Sequence, residues 1–225
     1  RALTDDLRAL HGRERLLISV DQEGGRVARM KPPHWDAYPA GAAFAALWQI
    51  APASAIEAAR ANARALALDL AEVGITLDYL PLLDVRQPGA HNVIGDRALG
   101  TEPMQVAALG RAVLDGLRQG GVLGCIKHMP GHGRALADSH KELPVVDASL
   151  AELETDLTPF RTLAAAPVGM TAHVRYSAWD AGRPATLSPL VVGDVIRGQI
   201  GFDGLLLTDD IDMQALAGSI GERAE

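Results

Sequence analysis

The sequence is poor in cysteine and in clustered basic residues, and both shortages exclude classes of protein. Cys125 is the single cysteine, so an internal disulfide is excluded. Because Cys125 lies within an apolar segment, we interpret it as a small core residue. The net charge of -7 and the lack of a Lys or Arg cluster argue against a nucleic-acid partner, since phosphate backbones are bound by such clusters.

The sequence also lacks an apolar run of the roughly 18 residues that a membrane-spanning helix requires. Residues 1–6 do not have the pattern of a secretory signal peptide. We therefore expect a soluble, cytoplasmic protein with no membrane partner. A short helix capped by Thr4 is predicted at the start with no strand before it, so we expect that a preceding segment is missing.

What the sequence does contain is a regular alternation of apolar runs and helical patterns. The composition, 48% hydrophobic and 22% charged, is typical of a globular domain with a substantial core. Five short apolar runs predict strands at residues 16–20, 75–80, 122–126, 168–172 and 204–207. Apolar spacings of three and four predict an amphipathic helix over residues 56–73. Further helices are predicted over residues 102–118 and 148–165, after the cap-and-proline pair at 188–189, and from about residue 213.

Strands that are apolar on both faces and alternate with helices are typical of a parallel sheet covered by helices. We predict an α/β fold of the (β/α)8 TIM-barrel type. A doubly wound sheet is the alternative, but neither Gly24-Gly25 nor the glycines at 131 and 133 have the spacing of the dinucleotide-binding fingerprint. Only five of the eight expected strand–helix units are recognised. Residues 1–225 are therefore predicted to be one partial barrel domain, truncated at both ends.

The catalytic groups of such a barrel lie on the loops that follow the carboxyl ends of the strands. In this sequence each predicted strand end is followed by charged residues or imidazoles. We therefore expect these side chains to line one mouth of the barrel. They are Asp21, Glu23 and Arg26; Asp84 and Arg86; Lys127 and His128; His173 and Arg175; and Asp209 and Asp210.

Two groups in this set are candidates for catalysis. Asp209 follows a buried apolar strand, a position that suits a nucleophile or an electrostatic stabiliser. Asp210 is expected to point away from the cavity and to cap the next helix, and two capping aspartates are the alternative. His140 has Asp138 two positions before it, and a carboxylate can fix an imidazole whose pKa near 6.5 suits proton transfer. An ordinary surface histidine is the alternative there.

A metal-dependent hydrolase is the second possibility considered. His128 and His132, with Asp138 and Asp21, are possible ligands for a divalent ion. Their four-residue spacing would suit a helix, but Pro130 and two glycines prevent one. We predict no metal and no cofactor, and we expect His132 to brace its loop by hydrogen bonding.

Taken together, these segments resemble glycoside hydrolase family 3, in its β-N-acetylglucosaminidase branch. The resemblance spans nearly the whole chain, and the KHMPGHG segment is specific to this branch, although Met129 stands where phenylalanine is common. The motifs are VDQEGGRV at 20–27, LDV at 83–85, IGDR at 94–97, KHMPGHG at 127–133, DSH at 138–140, GFDG at 201–204 and TDD at 208–210.

The resemblance implies a retaining, two-step hydrolysis of a terminal β-linked N-acetylglucosamine. Asp209 matches the family nucleophile, His140 matches the acid/base, and Asp138 matches the partner of that histidine. An Asp–His dyad departs from the usual pair of carboxylates, and a mobile loop could carry it. The alternatives are a catalytically silent sugar-binding fragment and transfer of the sugar to phosphate instead of water.

The resemblance also implies a binding set and a substrate class. Asp21, Arg29, Arg97, Lys127 and His128 match residues that hold the sugar hydroxyls and the N-acetyl group. Bacterial members of this branch release N-acetylglucosamine from anhydro-muropeptides during peptidoglycan turnover in the cytoplasm. The expected partner is therefore a small carbohydrate, an N-acetylglucosaminyl muropeptide.

Overall fold

The computed structural model describes residues 1–216 as an α/β structure built on a curled parallel sheet. Its strands are β1 (Ser19–Val20), β2 (Leu77–Asp78), β3 (Leu123–Met129), β4 (Val145–Val146), β5 (Val168–Thr171), β6 (Arg175–Tyr176) and β7 (Leu205–Leu207). The main sheet has the order β1-β2-β3-β5-β7, and every neighbouring pair is parallel. Strands β4 and β6 pair separately. This half-barrel confirms the predicted fold class.

The helices cover the sheet between successive strands. They are α1 (Ala2–His11), α2 (Gly41–Trp48), α3 (Pro52–Glu72), α4 (Pro103–Gln119), α5 (Leu150–Thr162) and a π-helix over Val191–Ile200, with 3-10 turns at Gly95–Arg97 and Ala185–Leu187. Proline begins both α3 and α4, where its missing N–H costs no hydrogen bond. The apolar stripe of α3, including Ala59, Leu66 and Leu70, is buried as its spacing predicts.

Strand β3 is longer than the apolar run that predicted it. The sequence placed Lys127 and His128 in a loop, whereas the strand continues to Met129. The reason is main-chain pairing: Lys127 N–H donates to Pro81 O at 3.1 Å, and Ala172 N–H donates to Met129 O at 2.7 Å. Lys127 and His128 therefore project from a rigid strand that has neighbours on both sides.

Other boundaries also differ from the sequence predictions. Thr4 does not cap α1 but lies inside it, with its hydroxyl 2.6 Å from the carbonyl oxygen of Val73 at the end of α3. The cap of α5 is Ser149, which forms a reciprocal capping box with Glu152. Residues 213–216 form turns, and the rest of the helix predicted there lies outside the described residues. None of the helices in residues 1–216 is long and apolar enough to cross a membrane.

Candidate active site

A cavity of about 210 Å³ opens at the carboxyl ends of the strands. Residues from β3, from the segments that follow β1 and β7, and from the loop between β3 and β4 border it. All the predicted site residues except Asp138 lie along this cavity: Asp21, Arg29, Arg97, Lys127, His128, His140 and Asp209. Asp138 borders an adjoining depression, which it shares with Arg97 and His140. The structure therefore brings these seven side chains to one cavity, while the roles assigned to them stay predictions.

Lys127 is the centre of an ion-pair chain at the base of the cavity. Its ammonium nitrogen, almost fully buried, lies 3.0 Å from Asp21 Oδ1 and 2.6 Å from Glu23 Oε1. Arg97 donates to both oxygens of Glu23, from Nε at 2.7 Å and from Nη2 at 2.8 Å. Burial alone would lower the pKa of Lys127, but Glu23 and Asp21 raise it. Anions and cations thus alternate along the chain Asp21, Lys127, Glu23 and Arg97.

Glu23 is the site residue that the sequence reasoning left without a role. Burial alone would raise its pKa, but Lys127 and Arg97 lower the pKa of Glu23 to about 2. The buried carboxylate is therefore ionised and fixes two cations that reach the cavity. A signal was present, because Glu23 lies two residues after Asp21, and residues at that spacing share a face of an extended chain.

His128 is oriented by a completely buried aspartate. Asp84 Oδ2 lies 2.8 Å from His128 Nδ1, while Asp84 Oδ1 accepts hydrogen bonds from the main-chain N–H groups of His128 and His132 at 3.3 and 2.7 Å. Burial alone would raise the pKa of Asp84, but the two histidines lower it to about 2. The other ring nitrogen of His128, Nε2, lies 3.9 Å from Asp209 Oδ2.

His132 braces its loop by hydrogen bonding, as predicted, and the donor is its main-chain N–H. Its main-chain N–H bonds to Asp84, whereas within residues 1–216 ring atom Nδ1 has no hydrogen-bond partner. Burial, reinforced by His128, lowers the pKa of His132 to about 4, so the ring is neutral at pH 7. His132 still borders the cavity, packed edge-on against His128 with ring centroids 5.8 Å apart.

The main chain at Arg29 is held at the cavity rim by the side chain of Gln22, which acts as a clamp. The side-chain oxygen of Gln22 accepts from the main-chain N–H groups of Arg29 and Met30 at 2.8 and 2.9 Å, and Gln22 Nε2 donates to Met30 O at 2.8 Å. The N–H of Gln22 in turn donates to buried Asp78 at 3.0 Å. The segment is fixed while the guanidinium of Arg29 stays largely exposed, 3.5 Å from Asp21.

Asp138 and His140 form a local pair at the cavity rim. Asp138 Oδ1 accepts from the main-chain N–H of His140 at 3.0 Å and lies 2.8 Å from ring atom Nδ1. Partial burial alone would raise the pKa of Asp138, but the hydrogen bonds from His140 lower it. Because Nδ1 is engaged, Nε2 is the ring atom that can exchange a proton with a bound group. The carbonyl oxygen of Ser139 accepts from Ala215 N–H at 3.1 Å, which links this loop to the segment after β7.

Asp209 and Asp210 differ in burial but both border the cavity, contrary to the prediction that Asp210 points away. Burial alone would raise the pKa of Asp209, but His128, the N–H of Asp210, His173 and Lys127 together lower it. Asp209 is thus a carboxylate at neutral pH. Asp210 accepts from Asp212 N–H at 2.9 Å and so caps a turn. His173, predicted to be a neighbour of the site, reaches the Asp210 carbonyl oxygen at 3.0 Å.

The metal alternative finds no ligand set in the part of the chain that the structure describes. No group of three or more His, Cys, Asp or Glu side chains in residues 1–216 could hold a metal ion. The reason is visible at His128, whose Nδ1 bonds to Asp84 while its Nε2 faces Asp209. Asp21 and Asp138 are likewise engaged elsewhere, Asp21 with Lys127 and Asp138 with His140.

The chain is similar to proteins of known family. Residues 2–225 match the model described as the glycosyl hydrolase family 3 N terminal domain. The β-hexosaminidase of Bordetella avium is 40% identical over all of this chain, and that of Alkalilimnicola ehrlichii is 42% identical over 96% of it. The chain spans only 65% and 62% of the lengths of these two relatives.

Solved structures agree with this similarity. NagZ from Neisseria gonorrhoeae, in complex with N-trifluoroacetyl-D-glucosamine, superposes with a TM-score of 0.90 at 39% identity and covers 99% of this chain and 65% of its own. A family 3 β-N-acetylglucosaminidase from Paenibacillus superposes with a TM-score of 0.84 at 36% identity, covering 93% of this chain and 39% of its own. The resemblance seen in the sequence motifs is therefore confirmed, and this chain belongs to glycosyl hydrolase family 3.

Proposed function

We propose that this chain carries the active site of a retaining exo-β-N-acetylglucosaminidase. One observation carries the proposal: the ionised carboxylate of Asp209 and the imidazole of His140 border the same cavity, and Asp138 fixes that imidazole. A carboxylate supplies a nucleophile, and an imidazole can both donate and accept a proton near neutral pH. Relatives named β-hexosaminidase, at about 40% identity, support the same reaction class.

In the first proposed step, a carboxylate oxygen of Asp209 attacks the anomeric carbon and forms a covalent ester with the sugar. The glycosidic carbon–oxygen bond breaks with its electron pair on the leaving oxygen, and protonated His140 gives that oxygen its Nε2 proton. In the second step, neutral His140 takes a proton from water while the water oxygen attacks the same carbon. The ester bond breaks, Asp209 is released, and two inversions leave the configuration retained.

The charges around the cavity suit this chemistry. The lowered pKa of Asp209 keeps it ionised and ready to attack at neutral pH. Asp21 presents a partly exposed carboxylate that accepts hydrogen bonds from sugar hydroxyls, while Lys127 neutralises its charge from below. We assign Arg29, Arg97 and His128 to the same binding set. Arg97 reaches the cavity from its bidentate pairing with Glu23.

We also propose a substrate class for this site. Sugars with a terminal β-linked N-acetylglucosamine fit because the Neisseria gonorrhoeae NagZ structure is a complex with an N-acyl glucosamine, N-trifluoroacetyl-D-glucosamine. We assign anhydro-muropeptides released in cytoplasmic peptidoglycan recycling as the natural substrate class. Incubation of the purified protein with isolated anhydro-muropeptides and with chitobiose tests this, since equal kcat/KM values for the two would contradict it.

The nucleophile has its own test. An aryl N-acetyl-β-glucosaminide should release its aryl group with the purified protein, and Asp209→Ala should abolish this release. Asp194→Asn, an exposed aspartate on the π-helix, is the matched control and should keep wild-type activity. NMR of the first-formed product should show the β-anomer. Undiminished turnover by Asp209→Ala, or an α-anomer, would remove Asp209 from the proposed role.

Inorganic phosphate is the alternative acceptor to water in the second step. The depression beside the cavity is lined by the guanidinium groups of Arg26 and Arg97, the imidazoles of His91 and His140, and the carboxylate of Asp138. An anion there would meet two guanidinium groups, and an imidazole stands in place of the second carboxylate of the usual acid/base pair. Product analysis with and without inorganic phosphate distinguishes the two acceptors. If a sugar 1-phosphate forms in proportion to the phosphate concentration, phosphate is the acceptor. If free sugar forms under both conditions, water is the acceptor and the protein is a hydrolase.

The silent alternative has its own outcome. A protein that binds N-acetylglucosamine by calorimetry but turns over no substrate would be a catalytically silent sugar-binding fragment.

A further inference from the structure

The loop between β3 and β4 carries Asp138 and His140, and one of its side chains reaches back to helix α5. Arg134, four residues before Asp138, donates from Nε to Asp156 Oδ2 at 2.5 Å and from Nη2 to the Glu152 carbonyl oxygen at 2.9 Å. Asp156 is almost fully buried, while Arg134 is largely buried. This contact lies outside the cavity, and the proposed reaction gives it no role.

The other contacts of the loop hold a different part of it. Buried Tyr176 donates to Gly131 O at 2.8 Å, and His132 N–H donates to Asp84. At Ala135 the carbonyl oxygen accepts from His91 N–H at 2.8 Å. Beyond it, Leu136 is 70% exposed, and buried Ser139 accepts from Ala215 N–H at 3.1 Å through its carbonyl oxygen. Within residues 1–216, Arg134 forms the one ion pair that joins this loop to a helix.

We propose that Arg134 and Asp156 are positioning residues for the acid/base, holding the loop so that His140 Nε2 faces the glycosidic oxygen. This inference rests on the proposed function, because it assumes that His140 donates the proton. Helix α5 is packed on the sheet, with Leu153, Leu157 and Phe160 in the core, so Asp156 is a fixed point. Arg134 transmits that position to the loop, and neither residue touches the substrate.

The environment of Asp156 makes it depend on Arg134. Burial raises the pKa of Asp156 to about 6, while Arg134 opposes the rise, and Asp84 and Glu152 reinforce it. Asp156 is also one of the carboxylates that raise the pKa of Tyr176. Within the described residues its second oxygen, Oδ1, has no hydrogen-bond partner. Arg134 is the cation that pairs with this carboxylate, so its loss would raise the pKa of Asp156 further and remove the tie between the loop and α5.

The leaving group of the substrate separates positioning from general damage. Dinitrophenolate leaves without protonation, whereas an unsubstituted phenol or an alcohol needs the proton of His140. The value of kcat/KM reports the first step, in which that proton is used. We expect Arg134→Ala to lower kcat/KM for the phenyl glucosaminide by about 10- to 100-fold and for the dinitrophenyl compound by less than about threefold, since misplacing a catalytic group by about 1 Å costs up to about 100-fold.

Three further variants complete the test. Arg134→Lys, which keeps a cation, should recover part of the loss. Asp156→Asn should reproduce the leaving-group dependence of Arg134→Ala, and because Arg134 is partly exposed, its variant is informative even if Asp156→Asn fails to fold. Glu154→Gln, which removes an exposed carboxylate paired with Arg161 on the same helix, is the control and should leave both rates unchanged.

Two outcomes would overturn the inference. Equal losses for the two substrates would make the pair a structural support only, and no loss with either would show that the loop is held without it. His140→Ala tests the assumption separately. If that variant shows the leaving-group dependence and Arg134→Ala does not, the positioning role fails while the proposed function stands. If His140→Ala shows no such dependence, the acid/base assignment itself fails.

Discussion

Replacing Glu23 by glutamine is the sharpest test of the buried ion-pair chain. The substitution keeps the shape of the side chain and removes its charge, so Lys127 and Arg97 lose the carboxylate that holds both. The pKa of Glu23 falls from an ordinary 4.5 to about 2 in the folded protein, and the carboxylate is almost completely buried. That interval corresponds to about 3 kcal/mol of unfolding free energy at neutral pH.

The sign of the pH dependence follows from the direction of the pKa shift. A carboxylate whose pKa is lowered by folding stabilises the folded state fully above its unfolded pKa, and this contribution is lost as the pH falls through the folded pKa. We therefore expect Glu23→Gln to cost about 3 kcal/mol at pH 7 and at pH 6. The difference from wild type should shrink to about 1 kcal/mol at pH 3.

Urea unfolding of both proteins at pH 7, 6 and 3 measures these differences. The control is Glu154→Gln on α5, an exposed carboxylate whose loss should change the unfolding free energy by less than about 0.5 kcal/mol. We also expect Glu23→Gln to raise KM for the aryl glucosaminide, because Lys127 and Arg97 lose their fixed positions in the binding set. The reasoning is refuted if the two unfolding free energies agree at pH 7, or if their difference does not shrink in acid.

Three other predictions address the loop, the rim and the metal question. Gly133→Ala should lower the melting temperature and the activity, because the added methyl group would overlap the Val85 carbonyl oxygen. Gly193→Ala in the π-helix is the control: its methyl group would contact no other atom, so the melting temperature measured by circular dichroism should stay the same or rise. Gln22→Ala should raise KM more than it lowers kcat and destabilise by about 2 kcal/mol, because the buried N–H of Met30 and the partly buried N–H of Arg29 lose their acceptor; an unchanged KM would contradict the clamp on Arg29. Excess chelator should leave the rate unchanged, and a loss restored by added zinc would support the metal-dependent alternative.

The sequence by itself determined the class of fold and supplied the candidate site residues. Apolar runs at nearly regular intervals, and the three-and-four spacing along α3, predicted a parallel sheet covered by helices. Charged residues after each run predicted one functional mouth, since parallel strands bring their carboxyl ends to the same edge. Asp209 was singled out by the apolar strand directly before it, and His140 by Asp138 two positions earlier. Each of these cues is local, so it can be read from the linear sequence.

The tertiary structure decided which of those charges touch. Lys127 and Asp21 are 106 residues apart, Glu23 and Arg97 are 74 apart, and His128 and Asp84 are 44 apart. No local pattern records such pairs, because each depends on how separate strands and loops are placed. Strand β3 likewise runs past its apolar stretch to Met129, because neighbouring backbones supply hydrogen bonds that no propensity of Lys or His predicts.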